Sequence, residues 1–179
     1  AKTATGELEI HDTQKPVQGL IVHRGRVVSG QIEQGQTAQL SVDDANRAAI
    51  VRNHSATHLL HAALREVLGP QPIHTGSLLD AHRFRFDFTH DPPLSDDELA
   101  RIEDIANGWI EQNLPGSVEV MSYRDALESG AVAIFEEKYG DEVRVVSFGD
   151  RSTELCGGTH ASATGDIGLL KIVSETGIA

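Results

Sequence analysis

Two pairs of side chains in this sequence have the chemistry and the spacing of metal ligands. His54 and His58 lie four residues apart in a segment whose apolar residues recur at helical spacing, so a helix would place both imidazoles on one face. Cys156 and His160 are also four residues apart, with two glycines between them that allow a tight turn. One thiolate and three imidazoles suit tetrahedral zinc. Either pair alone is a weak signal, but together they predict a zinc site.

Each pair also has a plainer interpretation. His54 and His58 could be solvated histidines on an exposed helical face, and Cys156 could be a small buried hydrophobe. A purely structural zinc site is a further alternative. The apolar stripe through Leu60 and Val67 lies on the other side of the helix, so we expect the histidines to face solvent or a cleft. A helix with its own apolar face does not need a metal to hold it in place, which favours a functional site.

The elements that must position these residues follow from the hydrophobic pattern. Residues 7–42 alternate or run in short apolar pieces, which predicts a small antiparallel β-barrel. Glycines separate these pieces at turn-like intervals: Gly19, Gly25, Gly30 and Gly35. After Asp43 and Asp44 the period becomes helical and continues to Gly69 and Pro70, which predicts the first long helix.

The rest of the chain predicts strands around a second long helix. Phenylalanines alternate with charged residues over 84–88, which is typical of a strand with an aromatic core face. Ser95 and Glu98 have capping-box spacing ahead of an apolar helical pattern that ends before Pro115. Further strands are expected around 118–120, 143–148 and 169–173. We therefore predict an α+β fold, in which a small β-barrel at 1–44 precedes an α/β sandwich with an antiparallel sheet and two long helices at 45–179.

Composition and charge limit the classes of protein that this chain can be. The 179 residues are 39% hydrophobic and 23% charged, as expected for a folded globular chain. A single cysteine excludes an internal disulfide and favours a reducing compartment, which we expect to be the cytoplasm. No apolar run approaches the ~18 residues of a membrane span. The net charge of -12 opposes broad binding to phosphate backbones, so a nucleic acid must be held locally or by another domain.

Three separated strings resemble the editing region of alanyl-tRNA synthetase. They are NHSATHLLHAAL at 53–64, GSLLDAHRFRFDFTH at 76–90 and ELCGGTHASATGDIG at 154–168. The segment at 11–27 resembles the small barrel that precedes that region. Freestanding alanyl-tRNA editing proteins and the editing domain of threonyl-tRNA synthetase are related to it. The resemblance implies hydrolysis of the ester that joins serine or glycine to the 3' end of alanine-specific tRNA. It also implies the remaining domains of a synthetase as partners, if the chain is a segment of one.

The resemblance assigns roles to residues in and beside the matching strings. His54, His58, Cys156 and His160 become zinc ligands, although four protein ligands would close the position that a zinc-bound water needs. Glu154 is the catalytic candidate, because it could orient a water or the substrate amino group; a carboxylate that holds a ligand histidine is the alternative. Further residues are expected to contact the substrate: Thr57, His74, Ser77, Arg85, Gly157 and Gly158.

Three of these substrate contacts have alternatives of their own. The Thr57 hydroxyl could bind a serine side chain or bond to its own helix. His74 stands where the alanyl pattern has glutamine, and it could be an ordinary loop histidine. Arg85 could meet a phosphate or lie on a solvated strand face.

Two other classes of function compete with a deacylase. One is a non-catalytic zinc module that positions tRNA for a neighbouring domain, and the other is a metallohydrolase of small molecules. Ser55 follows the first histidine where a metalloprotease has its glutamate base, which argues against peptide hydrolysis.

Overall fold

The computed structural model describes residues 1–17, 19–70, 72–134 and 139–177. Contacts divide the chain into two compact units, Ala1–Asp44 and Ala45–Ala179. None of the helices in these described ranges has the length and apolar character that crossing a membrane requires.

The first unit is built on a long antiparallel hairpin. Strand β1, Gly6–Val17, pairs with β2, Leu20–Gly30. Gly25 lies inside β2 and not at a turn, so that part of the glycine prediction is wrong. A side chain at Gly25 would overlap the carbonyl of Glu9 on the facing strand, which explains why glycine is needed there. The described residues of this unit form an open ribbon, and the closed barrel stays a prediction.

Two long helices organise the second unit. Helix α1 runs over Asp44–Leu68 and ends before Gly69, whose φ of 82° is left-handed. Helix α2 runs over Asp96–Glu111 and begins with the predicted capping box. A short helix, α3, covers Tyr123–Glu128. Both long helices were predicted from sequence and are confirmed.

The strands of the second unit form two antiparallel sheets. Strand β3, His74–Leu79, pairs with β4, Phe84–Phe88. The other sheet has the order β5-β6-β7, which are Gly116–Ser122, Glu142–Phe148 and Ser152–Leu155. A 3-10 helix follows at Thr164–Ile167. Helices and antiparallel sheets in mixed order confirm the predicted α+β class.

The expectation of a strand at 169–173 is wrong. The backbone N–H of Leu170 is bonded to the Asn107 side chain at 2.9 Å, and its carbonyl accepts from the same side chain at 2.9 Å. The N–H of Ile172 donates to the Glu103 carboxylate at 2.6 Å. This segment is therefore held by side chains of α2 rather than by a neighbouring strand.

The main core lies between the two long helices and the three-stranded sheet. Leu59 of α1, Ile102 of α2 and Phe148 of β6 are fully buried in it. The phenylalanines of β4 pack against the same cluster, as their alternation predicted. Apolar side chains other than the histidines therefore supply most of the contacts that fix helix α1, and Cys156 also packs against this cluster.

Candidate metal centre

The two predicted ligand pairs meet in the folded chain. Helix α1 carries His54 and His58, and the loop after β7 carries Cys156 and His160. One donor atom from each side chain lies within 4.8 Å of the other three. This is the one such cluster found among the described residues, so residues about a hundred positions apart form a single site.

Two of the distances between the donor atoms are within about 0.2 Å of those around a tetrahedral ion. The Sγ of Cys156 lies 3.4 Å from Nε2 of His54, and Nε2 of His160 lies 3.1 Å from Nε2 of His58. Zinc bonds of about 2.0–2.3 Å in a tetrahedron separate neighbouring donors by roughly 3.3–3.7 Å. The spacing and the nitrogen and sulfur chemistry of these donors therefore fit a zinc ion.

The turn between Cys156 and His160 lies directly against α1. The N–H of Ala161 donates to Oγ of Ser55 at 2.9 Å, and that hydroxyl donates to the carbonyl of Val51 at 2.9 Å. A side chain at Gly158 would overlap the imidazole of His54. Glycine is therefore required at 158 by close approach, whereas a Cβ at Gly157 would meet nothing within 4 Å.

Arg144 of β6 fixes the same turn from the sheet. Its Nη1 donates to the carbonyl of Cys156 at 2.8 Å and to that of Gly158 at 2.6 Å. The N–H of Cys156 in turn donates to the carbonyl of Arg144 at 3.0 Å. The sequence gives no signal for this role, because it depends on the register of β6 beside β7.

Burial sets the protonation of the cluster. Desolvation lowers the pKa of His58 to about 3 and that of His160 to about 3, with the neighbouring histidines adding to both shifts. It also lowers the pKa of His54 and raises the pKa of the Cys156 thiol. At neutral pH the imidazoles therefore offer free lone pairs, and the thiol must lose its proton when a metal binds.

The histidine face of α1 is covered, so the prediction that it faces solvent or a cleft is wrong for part of it. His58 is 3% exposed and His61, one turn further along, is 2% exposed. The rings of Phe148 and Phe86 cover these two histidines, with centroids 6.3 Å from His58 and 5.4 Å from His61. More than one face of α1 is packed, because Leu59 and Ala63 are buried in the core cluster that also contains residues of α2 and β6.

Glu154 lies beneath the cluster and is only 4% exposed. Its Oε1 is 2.9 Å from Nδ1 of His61, and its Oε2 is 3.4 Å from Nδ1 of His58. Both carboxylate oxygens therefore face histidines. Sequence reasoning did not select His61 as a functional residue, although its place on the His58 face was a usable signal.

The remaining predicted residues lie at different distances from this centre. Thr57 is buried beside it, and its hydroxyl donates to the carbonyl of His54 at 2.7 Å. His74 stacks on Phe86, with ring centroids 4.4 Å apart, and its centroid is 6.2 Å from that of His61.

Ser77 and Arg85 are exposed on the β3–β4 ribbon. The Arg85 guanidinium donates twice to Asp87, at 2.8 and 3.0 Å. The positive charge of Arg85 is therefore already matched by a neighbouring carboxylate.

A shallow groove of about 230 Å³ borders the cluster. Val118 of β5, Arg144 of β6 and His160 line it, together with Ser162. It lies on the face of the sheet that carries Phe148, so it opens beside the candidate ligands.

Comparisons with known proteins agree with the motifs. The family described as the threonyl and alanyl tRNA synthetase second additional domain matches residues 143–179. The alanine–tRNA ligase of Rhizobium meliloti is 51% identical over 186 residues, which cover 98% of this chain and 21% of that protein. The alanine–tRNA ligases of Mesorhizobium japonicum and Burkholderia mallei are 50% and 51% identical over 96% and 98% of this chain.

The chain spans about a fifth of the length of these relatives. The similarity extends through both units and includes the strings from which the resemblance was predicted. The predicted resemblance is therefore confirmed: nearly the whole chain is similar to a segment of alanine–tRNA ligases, and its residues 143–179 match a domain that threonyl and alanyl tRNA synthetases share.

Proposed function

We propose that this chain is a zinc-dependent deacylase that hydrolyses the ester of alanine-specific tRNA mischarged with serine or glycine, as the proofreading part of an alanine–tRNA ligase. The observation that carries the proposal is the convergence of His54, His58, Cys156 and His160 within 4.8 Å. Its support is that the relatives of this chain carry the name alanine–tRNA ligase.

A need for such an activity follows from the energetics of small side chains. A pocket shaped for alanine cannot exclude the smaller glycine and rejects serine imperfectly, because one methylene is worth only about 1–3 kcal/mol of discrimination. A second site that hydrolyses the wrong products and spares alanine corrects these errors.

The four clustered side chains would hold the zinc ion. When bound, zinc would supply positive charge near the ester or the terminal adenosine, and the four protein donors would fill a tetrahedral site and leave no position for a bound water. Glu154 faces two histidines with both oxygens, which supports a role in holding them; a role in orienting a water remains the alternative.

The substrate end is proposed to enter along the groove lined by Val118, Arg144, His160 and Ser162. Thr57 uses its hydroxyl hydrogen on the carbonyl of His54, but the oxygen can still accept. A serine hydroxyl of the substrate could donate to that oxygen, whereas alanine and glycine have no group that could.

The acidity of the chain bears on how tRNA is held. With a net charge of -12, the chain is a poor ligand for the phosphate backbone. We propose that this region contacts the aminoacylated 3' end and that other domains of the synthetase supply most of the tRNA affinity, in the cytoplasm. A freestanding deacylase would have to bind tRNA through this chain alone.

The test is a deacylation assay with seryl-, glycyl- and alanyl-tRNA of one alanine-specific sequence. We expect the seryl and glycyl esters to be cleaved and the alanyl ester to be spared. In the presence of Cys156→Ala, the esters should be hydrolysed no faster than in buffer. If the chain binds one equivalent of metal but accelerates none of the three reactions, even with the rest of the synthetase present, it is a non-catalytic zinc module.

A further inference from the structure

His61 is a buried polar residue that the proposed reaction does not use. It lies on α1 three residues after His58 and is 2% exposed. Its Nδ1 lies 2.9 Å from Oε1 of Glu154, whereas its Nε2 is buried without a hydrogen-bond partner among the residues that the structure describes. Burying a polar ring carries a free-energy cost, so the hydrogen bond that His61 makes to Glu154 points to its role.

That contact leads to the candidate metal ligands. Glu154 is two residues before Cys156, and its second oxygen lies 3.4 Å from Nδ1 of His58. That nitrogen is buried without a hydrogen-bond partner among the described residues, so the carboxylate is the polar group that it faces. The Nε2 of His58 faces His160 at 3.1 Å, so the two nitrogens of His58 face different groups. A carboxylate against the far nitrogen of a metal-binding histidine fixes the orientation of the ring.

We infer that His61 is a positioning residue, which holds the Glu154 carboxylate in place so that this carboxylate orients His58 toward the metal. The inference rests on the proposed metal site and deepens it. His61 acts through Glu154: it is not one of the four clustered donors, and it is not among the residues that line the substrate groove. Because an ionised carboxylate can only accept, this role requires the hydrogen of His61 on Nδ1, 2.9 Å from Oε1 of Glu154. The Phe86 ring lies beside His61 with its centroid 5.4 Å away.

Substitutions at His61 can separate the hydrogen bond from the packing. His61→Asn keeps an N–H close to the position of Nδ1, whereas His61→Leu fills the space without a donor. Leu64→Ala on the same helix is the control, because Leu64 is buried in the core and is not among the contacts of Glu154.

The measurement is titration of the metal-free protein with Co²⁺, followed by its visible absorption, and competition with Zn²⁺. We expect His61→Leu to weaken metal binding by about 10- to 100-fold and to change the Co²⁺ spectrum. His61→Asn should recover most of the affinity. Leu64→Ala should lower the Tm while the affinity of the folded protein stays at the wild-type value.

Three results would overturn the inference. They are wild-type metal affinity and Co²⁺ spectrum in His61→Leu, equal loss of metal affinity in His61→Asn and His61→Leu, or an equal loss of metal affinity in Leu64→Ala.

A long-range proton–nitrogen NMR spectrum of the wild-type protein is an independent measurement that needs no variant. It should show His61 with its hydrogen on Nδ1, and a hydrogen on Nε2 would contradict the proposal. If the wild-type protein binds no metal, the proposed function fails too; normal metal binding in His61→Leu rejects only the role of His61.

Discussion

At the scale of single residues, the close approach of Gly158 to His54 is the most sensitive contact of the site. A Cβ at 158 overlaps the imidazole, so Gly158→Ala must displace either the ring or the loop that carries Cys156. Because the donor atoms must stay within about 0.2 Å of ideal bond lengths, we expect at least a tenfold loss of zinc affinity, or about 1.4 kcal/mol. Zinc competition with a chromophoric chelator measures this loss.

Gly157→Ala is the matched control for this prediction. It adds the same methyl group one residue earlier, where no atom lies within 4 Å, so metal affinity should stay close to the wild-type value. Equal loss of affinity in both variants would mean that the loop needs glycine for its backbone conformation, and the steric explanation for position 158 would be wrong.

Thr57 carries the second prediction at this scale. Its hydroxyl donates to the carbonyl of His54, and we propose that the hydroxyl oxygen accepts from the serine of the substrate. Thr57→Val keeps the shape and removes that acceptor, which should cost roughly 1–3 kcal/mol, or about 5- to 150-fold in the rate for seryl-tRNA. Glycyl-tRNA has no side chain to lose the contact, so its rate should fall much less.

The two deacylation rates must be compared in the same preparation. A uniform loss for both substrates would indicate that the neighbouring histidines have moved, because Thr57 lies between His54 and His58 on the helix. If Thr57→Val hydrolyses both substrates at the wild-type rate, the only role of the Thr57 hydroxyl is its bond to the helix backbone.

Residue type and spacing identified the four clustered side chains from the sequence. His54 and His58 share a helical face by geometry alone, and the motif around Cys156 supplied the other pair. The roles of His61 and Arg144 could not be derived in this way. Each depends on which atom of a distant segment lies opposite, and only the packing of α1 and the register of β6 decide that.

At the scale of elements, the capping box of α2 makes the stability of this helix depend on pH. The N–H and hydroxyl of Ser95 both donate to the Glu98 carboxylate, and they lower its pKa below the ordinary value of 4.5. A carboxylate with a lowered folded pKa stabilises the fold above its unfolded pKa. This stabilisation is lost as the pH falls through the lower folded pKa.

Glu98→Gln tests this dependence, because glutamine can accept the same bond from Ser95 without a charge that titrates. The wild-type protein should be the more stable of the two at neutral pH. This difference should shrink as the pH falls below 4.5 and vanish once Glu98 is protonated in the folded state. Urea unfolding across the acidic range measures this difference in the free energy of unfolding. If the difference stays constant down to the pH at which Glu98 is protonated in the folded state, the charge of Glu98 contributes nothing to stability.

Periodicity predicted the long elements because each has an apolar face and a recognisable end. It failed where the backbone has another partner. The segment at 169–173 is an apolar run like that of a strand but is bonded to Asn107 and Glu103 of α2. Gly25 resembles a turn residue but lies within a hairpin where the two strands approach closely. In both cases a contact distant in sequence decides the conformation.

At the scale of the whole molecule, most of the apolar core is formed by side chains other than those of the candidate metal site. Leu59, Ile102 and Phe148 are fully buried in it, and of the clustered donors Cys156 packs against the core and His58 lies beside Phe148. Removing the metal therefore should abolish deacylation and leave the secondary structure in place. The alternative of a structural zinc site makes the opposite prediction, because small domains held together by zinc unfold when it is chelated.

The experiment is chelation of the purified protein, followed by circular dichroism and thermal unfolding. A free metal concentration 100 times the Kd stabilises a folded protein by about 2.7 kcal/mol, and a domain of this size changes its Tm by roughly 2–4 °C per kcal/mol. We expect the metal-free protein to keep its far-ultraviolet spectrum and to unfold cooperatively at a Tm roughly 5–11 °C lower. Re-addition of zinc should restore both the Tm and the activity. Loss of the helical signal on chelation at room temperature would show that the metal holds α1 and the Cys156 loop together, and the apolar core would then be too weak to fix the helix by itself.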